Sequence, residues 1–282
     1  MKKDYFTNVS LACLLCLLIL LAGCCISIGG WSRAKFERTD ELSAPLSAGS
    51  TLVAETSFGS ITVTGTDVTG CRVIAGICVQ APTQEKAAEI AERVKIKLVP
   101  AGKTLTVKVE KPKLKNNRSV GVSFNITVPK QTNIDCDTSF GSIGVDNING
   151  SVKAETSFAA INCDNTQGPL HLKTSYGGIT CRNITSTDIT ATSSFGGINI
   201  DCSPSTPPEI NADIVTSYGN IDFTTPPAFA GKADLQTSFG SIETNLPITV
   251  KGDLKEQRIK GTIGDGNGKL RLKTSFGSIK IS

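Results

Sequence analysis

Four aspartates, one histidine and a run of lysines are the side chains of this sequence best suited to chemistry. Two carboxylates that flank a glycosidic bond can cleave it, one as acid and the other as base or nucleophile. Asp135, Asp137, Asp213 and Asp234 are candidates for such a set. They are interleaved with Lys153, His171 and Thr190, so no dedicated pair stands out, and a solvated face is the simpler reading. His171 is the single His of the 282 residues, which argues against a His-dependent triad or a His-rich metal site. No CxxC pair with zinc spacing lies beyond the N-terminal apolar run. Gly264-Asp265-Gly266-Asn267-Gly268 lacks the ligand series of a calcium loop and reads as a turn. Lys95, Lys97, Lys103, Lys108, Lys111, Lys113 and Lys115 could contact anionic glycan or lipid headgroups. Alternating with Ile96, Leu98, Val107 and Val109, they also fit the solvent face of strands, where lysine blunts an edge. The net charge of +4 is mild and does not call for nucleic acid. No catalytic residue, metal site or cofactor is expected.

The N-terminus carries Lys2 and Lys3 ahead of an uncharged run from Val9 to Gly30. A basic start and an apolar core read as an export signal. Leu21-Ala22-Gly23-Cys24 resembles the bacterial lipobox, which implies cleavage before Cys24 and its lipidation. The alternative is an uncleaved transmembrane anchor with Trp31, Arg33 and Lys35 at the interface. Both readings tether the chain to a membrane with its bulk outside the cytoplasm. The expected organisation is a signal peptide over 1–23, a polar spacer over 24–49 and one β domain over 50–282.

The elements that would position any side chain come from a repeat. TSFGSI stands at 56, 138, 237 and 274, with TSFAAI at 156, TSYGGI at 174, SSFGGI at 193 and TSYGNI at 216. With the first residue as position 0, apolar residues recur at −4 and −2, and polar ones dominate −3 and −1. This period-two alternation marks a half-buried strand. Position +2 is aromatic in every copy (Phe58, Phe140, Phe158, Tyr176, Phe195, Tyr218, Phe239, Phe276). Position +5 is Ile in every copy (Ile61, Ile143, Ile161, Ile179, Ile198, Ile221, Ile242, Ile279). Carrying the alternation through +2 predicts that the aromatics and the isoleucines form two interior columns, with the parity flip at the small residues of +3 and +4. Phe140→Ala or Ile143→Ala is then expected to unfold the stack. A period near 20 residues points to solenoid rungs stacked about 4.8 Å apart. Cys163 and Cys181 share position +7 in consecutive rungs and are a candidate disulfide, but their parallel side-chain vectors make the geometry awkward and favour two buried free thiols instead.

Residues 66–135 separate the first two copies and read as strand, helix and hairpin, with Thr83 as N-cap and the hairpin turning at Ala101-Gly102. The stacked rungs follow over 136–282. The export signal, the strand–helix–hairpin section, the TSFGSI rungs and the closing GTIGDGNGKLRLKTSFGSIKI together resemble the bacterial candidate-adhesin family of β-strand-repeat proteins, a domain of unknown function. The resemblance implies an all-β, single-stranded, right-handed β-solenoid without established catalytic residues. The expected function is that of a non-enzymatic extracytoplasmic interaction or structural protein of the cell envelope, held to the membrane by its N-terminal lipid. Its partner would be an envelope protein or polysaccharide. The competing expectation is a carbohydrate-active β-helix enzyme or an anionic glycan-binding module.

Overall fold

The computed structural model describes residues 33–250 and 257–282. The first elements are β1 (Ala34–Pro45), β2 (Thr51–Thr56), β3 (Ile61–Thr66), β4 (Gly70–Ala81), α1 (Gln84–Arg93), β5 (Lys95–Ala101), β6 (Thr104–Glu110) and β7 (Ser119–Pro129). Paired rung strands follow: β8 (Asn133–Thr138) and β9 (Ile143–Asp146), β10 (Val152–Thr156) and β11 (Ile161–Asp164), β12 (Leu170–Lys173) and β13 (Ile179–Ile184). Next come β14 (Asp188–Ser193) and β15 (Ile198–Cys202), β16 (Asn211–Thr216) and β17 (Ile221–Thr224), β18 (Gly231–Gln236) and β19 (Ile242–Thr244). The chain closes with β20 (Thr249–Val250), β21 (Arg258–Ile263), β22 (Gly268–Lys273) and β23 (Ile279–Ile281).

Each rung contributes one strand to each of two sheets. The strand before the motif joins a sheet ordered β20-β21-β18-β22-β16-β14-β12-β10-β8-β2-β6-β5. The strand after it joins a sheet ordered β1-β4-β7-β3-β9-β11-β13-β15-β17-β23-β19. Rung strands pair in parallel and in register, so Ile143, Ile161, Ile179 and Ile198 are direct neighbours. This is a solenoid-like all-β fold. The isoleucine column is buried between the sheets at seven copies, and Ile242 in the terminal rung is half-buried. At about 1.5–3 kcal/mol for each fully buried aliphatic side chain, that column is a principal part of the core.

The rungs are not stacked in chain order. β22 and β23, from the last motif, lie between the rung of β16 and β17 and the rung of β18 and β19. The seventh copy therefore ends the stack, and the eighth is its penultimate rung.

Residues 34–45, expected as spacer, form a strand paired along its whole length with β4. Phe36, Arg38, Asp40, Leu42 and Ala44 take its half-buried side. Charge within that alternation hid it in the sequence. The Arg38 Nη1 and Nη2 groups donate to Asp40 and to the carbonyls of Ala91 and Val94 at the C-terminus of α1, each at 2.8 Å, while its Nε is buried without a partner. Thr83 caps the other end of α1, its hydroxyl accepting from the Lys86 N–H at 3.3 Å. The expected signal peptide, Cys24 and residues 24–32 of the spacer lie outside the described residues.

Candidate functional site

The motif forms a corner, and its geometry corrects the expected interior aromatic column. Positions −4, −2 and 0 face inward, but +1 and +2 both face outward before +3 turns in again. The parity flips at Ser-Phe, two positions earlier than the sequence suggested. Phe58, Phe140, Phe158, Tyr176, Phe195, Tyr218, Phe239 and Phe276 are thus 45–65% exposed. The inner side of the corner has no volume for a ring. At Gly141, Gly177 and Gly196 an added Cβ would overlap the carbonyl at +3 of the preceding rung. Backbone and one hydroxyl fill the vertex instead. That hydroxyl belongs to position 0 and donates to a corner carbonyl of the neighbouring rung: Thr138 to Gly59 at 3.1 Å, Thr156 to Gly141 at 2.9 Å, Thr174 to Ala159 at 3.0 Å and Ser193 to Gly177 at 2.9 Å. A buried carbonyl left unpaired is costly, so position 0 takes only Thr or Ser.

Outside the corner the eight rings stack. Centroids are 4.7–5.1 Å apart and ring planes lie within 5° of parallel, in the order Phe58, Phe140, Phe158, Tyr176, Phe195, Tyr218, Phe276, Phe239. The backbone fixes this spacing. Each aromatic N–H from Phe140 onward donates to a serine carbonyl of the neighbouring rung, for example Phe140 to Ser57 at 3.1 Å and Tyr176 to Ser157 at 2.9 Å. The stripe runs about 34 Å over seven intervals. With rings of roughly 200 Å² about half exposed, it offers on the order of 800 Å² of apolar surface. A typical monomer's largest apolar patch is about 300–600 Å². Neighbouring rings cover one another's faces, so the surface is ribbed with ring edges.

The aspartates do not assemble into an enclosed site. Asp135 pairs with Lys153 at 3.3 Å, Asp213 with Arg271 at 2.6 Å and Asp234 with Arg258 at 3.0 Å. Asp137 stands in register between Glu55 and Glu155. Partial burial, followed by the Glu155 and Glu55 carboxylates, pushes the Asp137 carboxyl up. That row lies on one sheet face, whereas glycoside cleavage needs carboxyl groups on opposite sides of the bond. His171 is exposed between Lys153 and Thr190 on the same face.

Cys163 and Cys181 are register partners, as the spacing predicted, but both are buried free thiols rather than a disulfide. Parallel strands aim their side chains alongside one another, and the thiols hydrogen-bond instead, which with burial holds Cys181 well above the usual thiol range. Cys71, Cys136 and Cys202 are also buried and free, and Cys78 is disulfide-bonded. Among the described residues no cluster of three or more His, Cys, Asp or Glu could hold a metal ion. Among them, too, no helix is long and apolar enough to cross a membrane.

At the opposite ends of the post-motif strands lies a polar groove of about 300 Å³, lined by Lys130, Asn147, Asn149, Asn165, Gln167, Asn183 and Thr185. Asn147, Asn165 and Asn183 adopt left-handed backbone at φ 53–60°. The Asn165 carboxamide donates to Asp146 at 2.8 Å and Asn183 donates to Asn165 at 2.7 Å, a side-chain ladder that the alternation pattern does not reveal.

The family model that describes this repeat matches residues 47–282 and is that of Toastrack DUF4097. The chain belongs to that family. The Toastrack match takes in every rung and begins inside the described part of the chain. Similar solved structures include a candidate cell adhesion protein from Clostridium sporogenes, at 15% identity over 86% of this chain and 99% of that one, TM-score 0.37. A candidate adhesin from Bacteroides fragilis is 12% identical over 87% of this chain and 97% of its own, TM-score 0.34. One from Parabacteroides merdae is 8% identical over 87% and 96%, TM-score 0.33. A comparison with curated proteins yields no match.

Proposed function

We propose that this Toastrack protein is a membrane-anchored, non-enzymatic interaction protein of the cell envelope, lipidated at Cys24, whose aromatic stripe is its binding surface. The observation that carries the reading is the exposed ladder itself. Eight rings held outside the core on a rigid repeat stabilise one another by stacking, and they also create an apolar surface of interface size. The occupant that fits is an extended apolar or aromatic segment of an envelope protein. Sugar stacking needs open ring faces, and here neighbouring rings cover them. Ring edges carry partial positive charge and suit the π-faces and carbonyls of such a segment. The test compares the wild type with Phe140→Ser/Phe158→Ser/Tyr176→Ser/Phe195→Ser in binding to isolated envelope proteins and to purified envelope polysaccharides. Loss of protein binding with an unchanged circular dichroism spectrum is expected. Equal binding by both chains, or binding to polysaccharide alone, would refute the stripe as the protein-docking surface.

The asparagine groove favours a second reading as a glycan-binding module. Lys130 and a row of carboxamides can meet the hydroxyl and carboxylate groups of an acidic saccharide. Asn165→Ala/Asn183→Ala should then abolish binding on an array of acidic glycans, and an unchanged array profile would exclude the groove. The absence of degradation products from uronates and common glycans would set the enzymatic alternative aside.

A further inference from the structure

Positive charge in this chain is concentrated in one short section. Residues 95–118 hold seven Lys and Arg118 against a single carboxylate, Glu110, a net of +7 in a chain of +4, so the remainder is −3. Lysine on an edge strand ordinarily protects the edge, and β5 is such a strand. Two observations exceed that role. Lys97 and Lys108 are direct cross-strand partners, an opposition of like charges that costs stability, and of the eight cations only Lys97 has an ion pair among the described residues, to Glu110 at 2.8 Å. In addition, Lys111, Lys113 and Lys115 lie beyond the end of β6 in an exposed loop that is not a strand and has no edge to protect. Leu114 stands among them as one of the few exposed large aliphatic residues.

The register places this section beside the N-terminal approach of the chain. Ala34 pairs with Ala81, and Ser119 pairs with Gln80. Arg118 therefore lies about two strand spacings, roughly 10 Å, from Ala34. The Arg38 bonds to Ala91 and Val94 hold the start of β5 against β1, and Lys95 opposite Glu110 brings the 111–118 loop to the same end of the hairpin. The uncharged run ends at Gly30, and four residues span at most about 14 Å. Of the eight cations only Lys103 sits at the hairpin tip, between Ala101 and its partner Thr104.

We propose that Lys95, Lys97, Lys108, Lys111, Lys113 and Lys115 form a docking site for anionic lipid headgroups, which seats this end of the stack on the membrane, with Leu114 entering the interface. The proposal rests on the tethered reading above for its proximity, and on charge and register for the site. Each lysine near an anionic surface strengthens attachment about fivefold.

The test uses the full chain reconstituted in lipid nanodiscs, with hydrogen–deuterium exchange as readout. On discs with about one third anionic lipid, amides of 108–118 should exchange at least about fivefold more slowly than on zwitterionic discs, an effect lost as added salt shortens the screening length. Lys111→Glu/Lys113→Glu/Lys115→Glu should remove the difference while protection of the rungs stays unchanged. Equal exchange on both discs would overturn the proposal, as would slowing that persists in the triple variant. Slowing produced by soluble oligouronates on zwitterionic discs, but not by anionic lipid, would reassign the site to glycan. A chain that fails to enter discs would remove the tethered reading and this proposal together, whereas insertion with an insensitive loop would remove this proposal alone.

Discussion

Removal of Gly268–Ser282 tests the order of the rungs. In a stack that followed the chain, this deletion would trim the terminal rung and leave the others intact. Here it removes β22 and β23 from between β16–β17 and β18–β19. Leu270, Leu272, Ile279 and Ile281 are buried. At about 1.5–3 kcal/mol each, their loss amounts to roughly 6–12 kcal/mol, comparable with the whole stability of a typical domain. The Thr274 hydroxyl bond to Gly219 and the Thr237 bond to Gly277 go with them. Phe239 loses its stacking partner Phe276. Hydrogen–deuterium exchange of the shortened chain should show β18 and β19 deprotected although the sequence of both is intact, with the urea midpoint well below that of the full chain. Protection at 231–244 equal to that of the full chain would refute the interleaved order.

Phe140→Ala and Ile143→Ala should separate. Ile143 is fully buried and its truncation should cost about 2–5 kcal/mol, whereas Phe140 is 45% exposed and loses two ring contacts worth about 0.5–1.5 kcal/mol each; urea titrations at constant m-value measure both, and a larger cost at Phe140 would be inconsistent with the corner geometry. Thr174→Val keeps the shape but strands the Ala159 carbonyl and the Gly177 N–H, so a loss of about 1–3 kcal/mol is expected in the same assay. Burial pushes the Cys71 thiol from its ordinary 9.0 up to about 11. The folded state then holds its proton more tightly than the unfolded chain, so that contribution to stability is complete below pH 9 and declines as pH rises from 9 to 11. A urea midpoint that is flat or rising over that window would contradict it. Iodoacetamide at pH 8 should leave Cys71, Cys136, Cys163, Cys181 and Cys202 unmodified until denaturant is added.

The strands were legible because their inward positions repeat one chemistry. Ile143, Ile161 and Ile179 are aliphatic at each +5 and they face the core. The aromatics were misplaced because alternation holds only within a strand, and the strand ends at position 0. Phe140 follows Ser139 around a corner, so two consecutive side chains point out. The signal that could have shown this is the Gly at +3: an inward glycine leaves no room beside it for a ring. The interleaved eighth rung was not legible, since Ile214, Leu235 and Leu272 are interchangeable at −2. Nothing local says which of these neighbours which, and only the pairing of β22 with both β16 and β18 shows the order. Residues 34–45 were obscured because Arg38 and Asp40 occupy the inward parity, and their partners lie on α1 and on each other.

The corner ladder makes the stripe extensible. Residues 139–156 and 157–174 are each one 18-residue unit from one position 0 to the next, and each adds one ring, one isoleucine and one hydroxyl bond. Tandem duplication of such a unit would lengthen the stripe by one rib of about 4.8 Å and leave every other contact in register. The reach of the surface is thus a counted quantity. A lineage could tune the length of partner it grips by changing rung number, with no redesign of the core.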